Sequence, residues 1–192
     1  MVRHERRLTY RVELPGGQKR LLELILYVAH RCEKAKHFGK VKLHKIIWKA
    51  DFDAFAARQV PVTGRAYQRL QFGPAPVEMA PMLEEMIQDN LLKYTTTDFG
   101  GGRIEHRPVA IAAPSMNYFS PDDIAFVDRA ITYYWNKTGR ETSDDSHGVA
   151  WKTRENNDPM PYELAFLSDE RLSTQQEQAA LLRAQQKGWT SR

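Results

Sequence analysis

The chain has 192 residues, 42% hydrophobic and 27% charged, with one cysteine and a formal net charge of +4. This composition excludes wholesale disorder, and the length suits one ordinary domain with or without a tail. Cys32 has no second cysteine to pair with, no apolar run approaches the ~18 residues that cross a bilayer, and the basic start lacks a signal peptide's apolar core. The expectation is a cytoplasmic protein with no membrane role.

The charge is uneven. Residues 1–58 carry +8 and the remainder −4, so the basic portion suits a solvated face, nucleic acid or an acidic protein surface.

Leu8-Thr9-Tyr10-Arg11-Val12-Glu13-Leu14 alternates apolar and polar side chains, which predicts a strand over 8–14 ended by Pro15-Gly16-Gly17. A helix is predicted over 19–36, with Leu21, Leu22, Ile25, Val28, Ala29 and Cys32 on one stripe. Cys32 there reads as a small buried hydrophobe. A second helix follows at about 41–58. Leu43, Ile46, Ile47, Ala50, Ala54 and Ala57 mark its buried stripe, and Lys42, Lys45 and Lys49 fall together on the opposite, solvent-facing side.

Tyr67 to Phe72 reads as extended chain running into a rigid turn at Gly73-Pro74-Ala75-Pro76. A third helix over 77–91 turns Met79, Met82, Leu83, Met86 and Ile87 inward as core filling. A β-hairpin is predicted over about 93–107, with Gly100-Gly101-Gly102 at its tip. No Lys-Ser or Lys-Thr follows those glycines, so they are not a phosphate loop. Ser120-Pro121-Asp122-Asp123 starts the next helix, which runs to about Lys137. A short helix over 141–147, capped by Thr142 or Ser143, precedes a Pro-containing loop. Residues 169–187 are helix-prone and Gln-rich, with only Leu172, Ala179 and Leu182 as a stripe, and read as a weakly docked tail. The fold class is therefore mainly α, a single helical domain over 1–168 with a small antiparallel β element, then a tail at 169–192.

Candidate chemistry is sparse. Asp144, Asp145 and His147 are too few to hold a metal, and His30, His37 and His44 lie far away in sequence. Neighbouring Ser146 and His147 point apart on a helix and do not make a nucleophile and base. The expectation is no enzyme, no metal and no cofactor. Two helices joined by a short break and followed by a hairpin suggest a winged-helix-like nucleic-acid binder, with Lys42, Lys45 and Lys49 against phosphates.

A further set of residues recurs in order: Lys42-Leu43-His44-Lys45-Ile46-Ile47 leading to Ala50-Asp51, Gly64 with Tyr67, Phe72-Gly73-Pro74-Ala75-Pro76, then Ser146-His147 and Trp151. This set resembles the Panacea domain of the SocA-like antitoxin family, also seen in phage-associated proteins, over about 20–155. The resemblance implies a mainly helical domain that neutralises a cognate toxin protein, by direct binding or as an adaptor that hands the toxin to the ClpXP protease. It marks Asp51, Tyr67, Gly73, Pro74, His147 and Trp151 as family motif positions. Each also has a structural reading: Gly73-Pro74 reverses the chain, Trp151 is an apolar plate that pins the Ser146-His147 turn, and a buried Asp51 needs a partner such as Tyr67 or His147.

Overall fold

The second helix of this chain buries apolar and charged side chains alike, so it is covered on most of its sides. The computed structural model describes residues 8–102, 104–167 and 173–186. In it α1 (Lys19–Arg31) and α2 (Lys40–Arg58) are followed by strands β1 (Tyr67–Leu70) and β2 (Gly73–Pro76), then α3 (Met79–Gln88). The hairpin β3 (Leu92–Asp98) and β4 (Ile104–Ala110) leads to α4 (Pro121–Tyr134), α5 (Gly139–Asp145) and α6 (Val149–Lys152). Strand β5 (Pro159–Met160), a 3-10 helix (Tyr162–Phe166) and α7 (Thr174–Gln186) complete the order. The architecture is mainly helical with small antiparallel sheets.

Helix α2 is the hub, touched by α1, α4, α5, β2, β4 and the 3-10 helix. One side, Leu43, Ile46, Ile47, Ala50 and Ala54, packs with Leu21, Ile25 and Val28 of α1, the methionines of α3, and Val127 and Ile131 of α4. Its other side sends Phe52 and Phe55 into a smaller cluster with Tyr67, Met160 and Tyr162. Rings there meet edge-on, tilted or stacked, the centres of Phe55 and Tyr162 lying 5.1 Å apart.

Helix α4 starts as its sequence predicts. The Ser120 hydroxyl accepts from the Asp123 amide and the Asp123 carboxylate accepts from the Ser120 amide, a reciprocal cap behind Pro121. Asp123 also binds Arg20 of α1 at 3.1 Å and Arg58 of α2, so one carboxylate joins three helices. Burial alone would raise its pKa, but the Arg58 bond, the Ser120 amide and the two guanidinium charges hold it below the usual carboxylate range.

Several expectations need correction. Residues 8–14 are extended but form no strand. Val12 donates to the Gly64 carbonyl at 3.0 Å and Tyr162 donates to the Thr9 carbonyl at 2.8 Å, single bonds to a loop and to the start of the 3-10 helix where a strand needs a ladder. Gly64 permits that approach: its φ is +71°, and a Cβ would collide with the Val12 carbonyl. Helix α1 stops at Arg31, short of 36. Ile87 is 40% exposed, because Met79, Met82, Leu83 and Met86 already fill the inner face of α3. The short helix is capped by Thr138 with Glu141, earlier than expected, and ends at Asp145. Residues 67–76 form a true hairpin, to which β5 adds a third strand in the order β2-β1-β5. The 93–107 hairpin is present as β3 and β4, paired from Leu92↔Ala110 to Asp98↔Ile104. Leu172 of the expected tail stripe lies outside the described residues, and Leu182 of α7 is 59% exposed.

Candidate functional site

The marked residues converge on one small hairpin, gripped at both ends. At its base, Asp51 of α2 is fully buried. It accepts the Thr63 amide at 2.6 Å, the Thr63 hydroxyl, and the Tyr67 hydroxyl at 2.8 Å. The Tyr162 hydroxyl donates to the Arg65 carbonyl at 2.7 Å and approaches Asp51 at 3.3 Å. Burial pushes the Asp51 carboxyl up, against the pull of the Thr63 and Tyr67 bonds, and burial beside Asp51 drives both tyrosine hydroxyls well above their ordinary range. Tyr67 is thus the partner expected for Asp51, whereas His147 sits at the other end of the hairpin.

At the tip, β1 and β2 are joined through Gln71 and Phe72, with Leu70 opposite Gly73. Three main-chain carbonyls there are each taken by a different helix. The Trp151 indole of α6 donates to Leu70 at 2.8 Å, the Ser143 hydroxyl of α5 to Phe72 at 3.1 Å, and the Lys45 ammonium of α2 to Pro74 at 2.8 Å. Gly73 has φ +97°, and a Cβ on it would fall against Ser146 Oγ and 2.7 Å from Lys45 Cε. Trp151 stacks on His147 with ring centres 3.8 Å apart and carries the Arg69 guanidinium 3.9 Å from its ring centre. Burial, then the Lys45 charge, holds the His147 pKa below its ordinary value.

The lysine face predicted for α2 does not exist. Lys42 and Lys45 are each 1% exposed, and Lys49 is half-buried and paired with Asp53 at 3.0 Å. Lys42 donates to the carbonyls of Lys36 and Trp135. The cause is the hub position of α2, whose polar side is roofed by α5 and the β1–β2 hairpin, so the lysine stems are buried and their ends rest on main-chain oxygens. The stripe on which a phosphate-binding reading depended is lost with it.

Beside the hairpin runs a groove of about 530 Å³ between α2, β1–β2, the start of α3 and the start of β4. Phe72, Val77 and Ile104 line it and remain 60%, 47% and 54% exposed. On its floor the Nε2 atom of His44 is buried without a hydrogen-bond partner among the described residues. Burial, followed by the charges of Lys45 and Lys40, drives His44 down to about 3, and burial drives Lys45 down to about 7. Asp145 is taken by Tyr133, Tyr134 and Lys137. No group of three His, Cys, Asp or Glu among the described residues is placed to hold a metal.

Sequence reasoning missed Tyr162, Thr63 and Ser143, and it misread Lys45. Tyr162 lies 111 residues from Asp51, and no local pattern joins them. The Thr138-Gly139-Arg140-Glu141 spacing, by contrast, is a legible capping box that would have placed α5 correctly.

The sequence model of one family, described as "Antitoxin SocA-like, Panacea domain", matches residues 43–152, more than half of the chain. That span contains all six motif positions and the whole β1–β2 hairpin. No curated protein and no solved structure matches the chain.

Proposed function

The chain belongs to the SocA-like antitoxin family with a Panacea domain, and from that premise we propose that it neutralises a cognate toxin by binding it directly. The contact surface is the groove beside the β1–β2 hairpin. The observation that carries this reading is Phe72. It stands 60% exposed at the tip of a hairpin whose carbonyls are fixed by three helices. A rigid apolar side chain of this kind binds with little ordering cost. Val77 and Ile104 extend the same apolar rim.

The protein acts as a non-enzymatic regulator in the cytoplasm. No helix among the described residues is long and apolar enough to cross a membrane. Direct neutralisation is chosen over hand-off to ClpXP because a preformed exposed rim supports a stable complex.

The test is co-expression with the protein encoded by the neighbouring reading frame. The expected result is rescued growth with the two proteins purifying as one complex while the toxin level stays unchanged. Rescue accompanied by loss of the toxin, and abolished in cells lacking the protease, would replace direct binding with the adaptor route.

A further inference from the structure

The groove is apolar at its rim and lined at its floor by lysine and histidine nitrogens, and that combination specifies an occupant. Lys42 and Lys45 stand one helical turn apart on α2, each buried, and neither ammonium has a carboxylate partner among the described residues. Carbonyl oxygens satisfy their geometry but supply only partial charge. Glu105 and Glu141 act on Lys42 through their charges, whereas burial alone acts on Lys45, so it is Lys45 that lacks a compensating charge. His44, the residue before Lys45, offers an Nε2 atom with no partner among the described residues. Exposed Lys40 adds a further cation, and Glu105, the acid among the lining residues, is drawn to Arg107 at 3.5 Å.

Resting on the reading of this groove as the partner surface, we propose that its occupant is an extended protein segment carrying an aspartate or glutamate beside a bulky apolar residue. The carboxylate sits over the α2 floor, near Lys45 and His44, and the apolar side chain lies among Phe72, Val77 and Ile104. An arriving carboxylate favours the protonated forms of Lys45 and His44, which burial now disfavours. The +8 carried by residues 1–58 steers such a segment toward the site, so association slows as salt rises. A nucleic-acid backbone fits less well, because its repeated phosphates would have to lie along an apolar rim.

The test is selection of random short peptides, displayed on phage, against the full-length protein. The expected consensus pairs an acid with a leucine, isoleucine, phenylalanine or tryptophan. A synthetic consensus peptide should bind at least about tenfold more tightly than its Asp→Asn or Glu→Gln form. Phe72→Glu, at an exposed position, should abolish binding while leaving the circular dichroism spectrum unchanged, and Lys45→Met should weaken it. No enrichment, a consensus without an acid, or unaltered binding by the Phe72→Glu protein overturns the proposal. So does displacement of the peptide by a short DNA duplex. The selection uses no toxin, so failure of toxin rescue and failure of this proposal are separate results.

Discussion

Lys45 Nζ lies 2.8 Å from the carbonyl oxygen of Pro74, so a fully buried helix lysine holds the turn of the β1–β2 hairpin. The same ammonium would be 2.9 Å from a Cβ on Gly73. Glycine at 73, the carbonyl at 74 and lysine at 45 are thus one packing unit, and the hairpin tip cannot be repacked without moving α2.

That unit gives stability a particular pH dependence. Burial lowers Lys45 from its ordinary 10.5 to about 7, so between those values the unfolded chain holds a proton that the folded chain lacks. Stability therefore rises with pH in this window, by up to about 1.4 kcal/mol per unit. Lys42 adds in the same direction. His44 and His147, both lowered, act below about 6.5, while the raised Asp51 carboxyl opposes above its ordinary 3.8 and the buried Cys32 thiol and the Tyr67, Tyr134 and Tyr162 hydroxyls, all raised, oppose from about pH 9 upward. Urea midpoints from about pH 7 to 8.5 should climb in the parent and climb less in Lys45→Met. A parent midpoint that falls across this range contradicts the assignment.

Gly73→Ala should destabilise the protein by about 2–4 kcal/mol, combining a positive φ with overpacking against Ser146 and Lys45. Gly101 also has positive φ, but nothing lies within 4 Å of a Cβ placed there. Gly101→Ala should therefore cost only about 1 kcal/mol. Equal unfolding midpoints for the two variants would remove the steric part of this explanation.

The Asp51 cluster should be less tolerant than its neutral neighbours. Asp51→Ala strands the Thr63 amide and hydroxyl and the Tyr67 hydroxyl in the core, at an expected cost of about 3–5 kcal/mol. Tyr67→Phe removes one donor to a carboxylate that keeps others, and should cost about 1–2 kcal/mol. Chemical denaturation of both variants checks the ranking, and a larger loss for Tyr67→Phe would reverse it.

Trp151 is half-buried, stacked on His147 and bonded to the Leu70 carbonyl. Trp151→Ala should cost about 2–3 kcal/mol and weaken toxin binding only through stability. Trp151→Phe keeps most of the plate, loses the N–H, and should cost about 1 kcal/mol. Thermal melts beside a toxin-binding assay separate the cases. An alanine variant that melts like the parent but no longer binds would make Trp151 part of the interface.

How far such features could be read in advance depended on their range. The α4 cap was legible because Ser120, Pro121 and Asp123 act on each other across three residues. The β3–β4 hairpin was legible because two alternating segments flank three glycines, all with positive φ. The burial of Lys42 and Lys45 was not, since helical periodicity places them opposite Leu43 and Ile46 and says nothing of what α5 and β2 later cover. Charge reversal at either lysine, harmless on an exposed face, is now expected to be strongly destabilising. Strand β5 has two residues and pairs with β1 across some ninety positions, too short and too distant for any pattern. The order of the motif residues was readable; their convergence on one hairpin needed the tertiary fold.

The central claim is that the rim around Phe72 is where the toxin binds. The most direct measurement is the affinity of the co-encoded toxin for Phe72→Glu and Ile104→Glu, with growth rescue and melting temperature followed in parallel. Both side chains are more than half exposed, so melting should stay within about 0.5 kcal/mol of the parent. The account predicts loss of binding and of rescue at unchanged stability. Full toxin affinity in both variants would contradict it and move the interface elsewhere on the molecule.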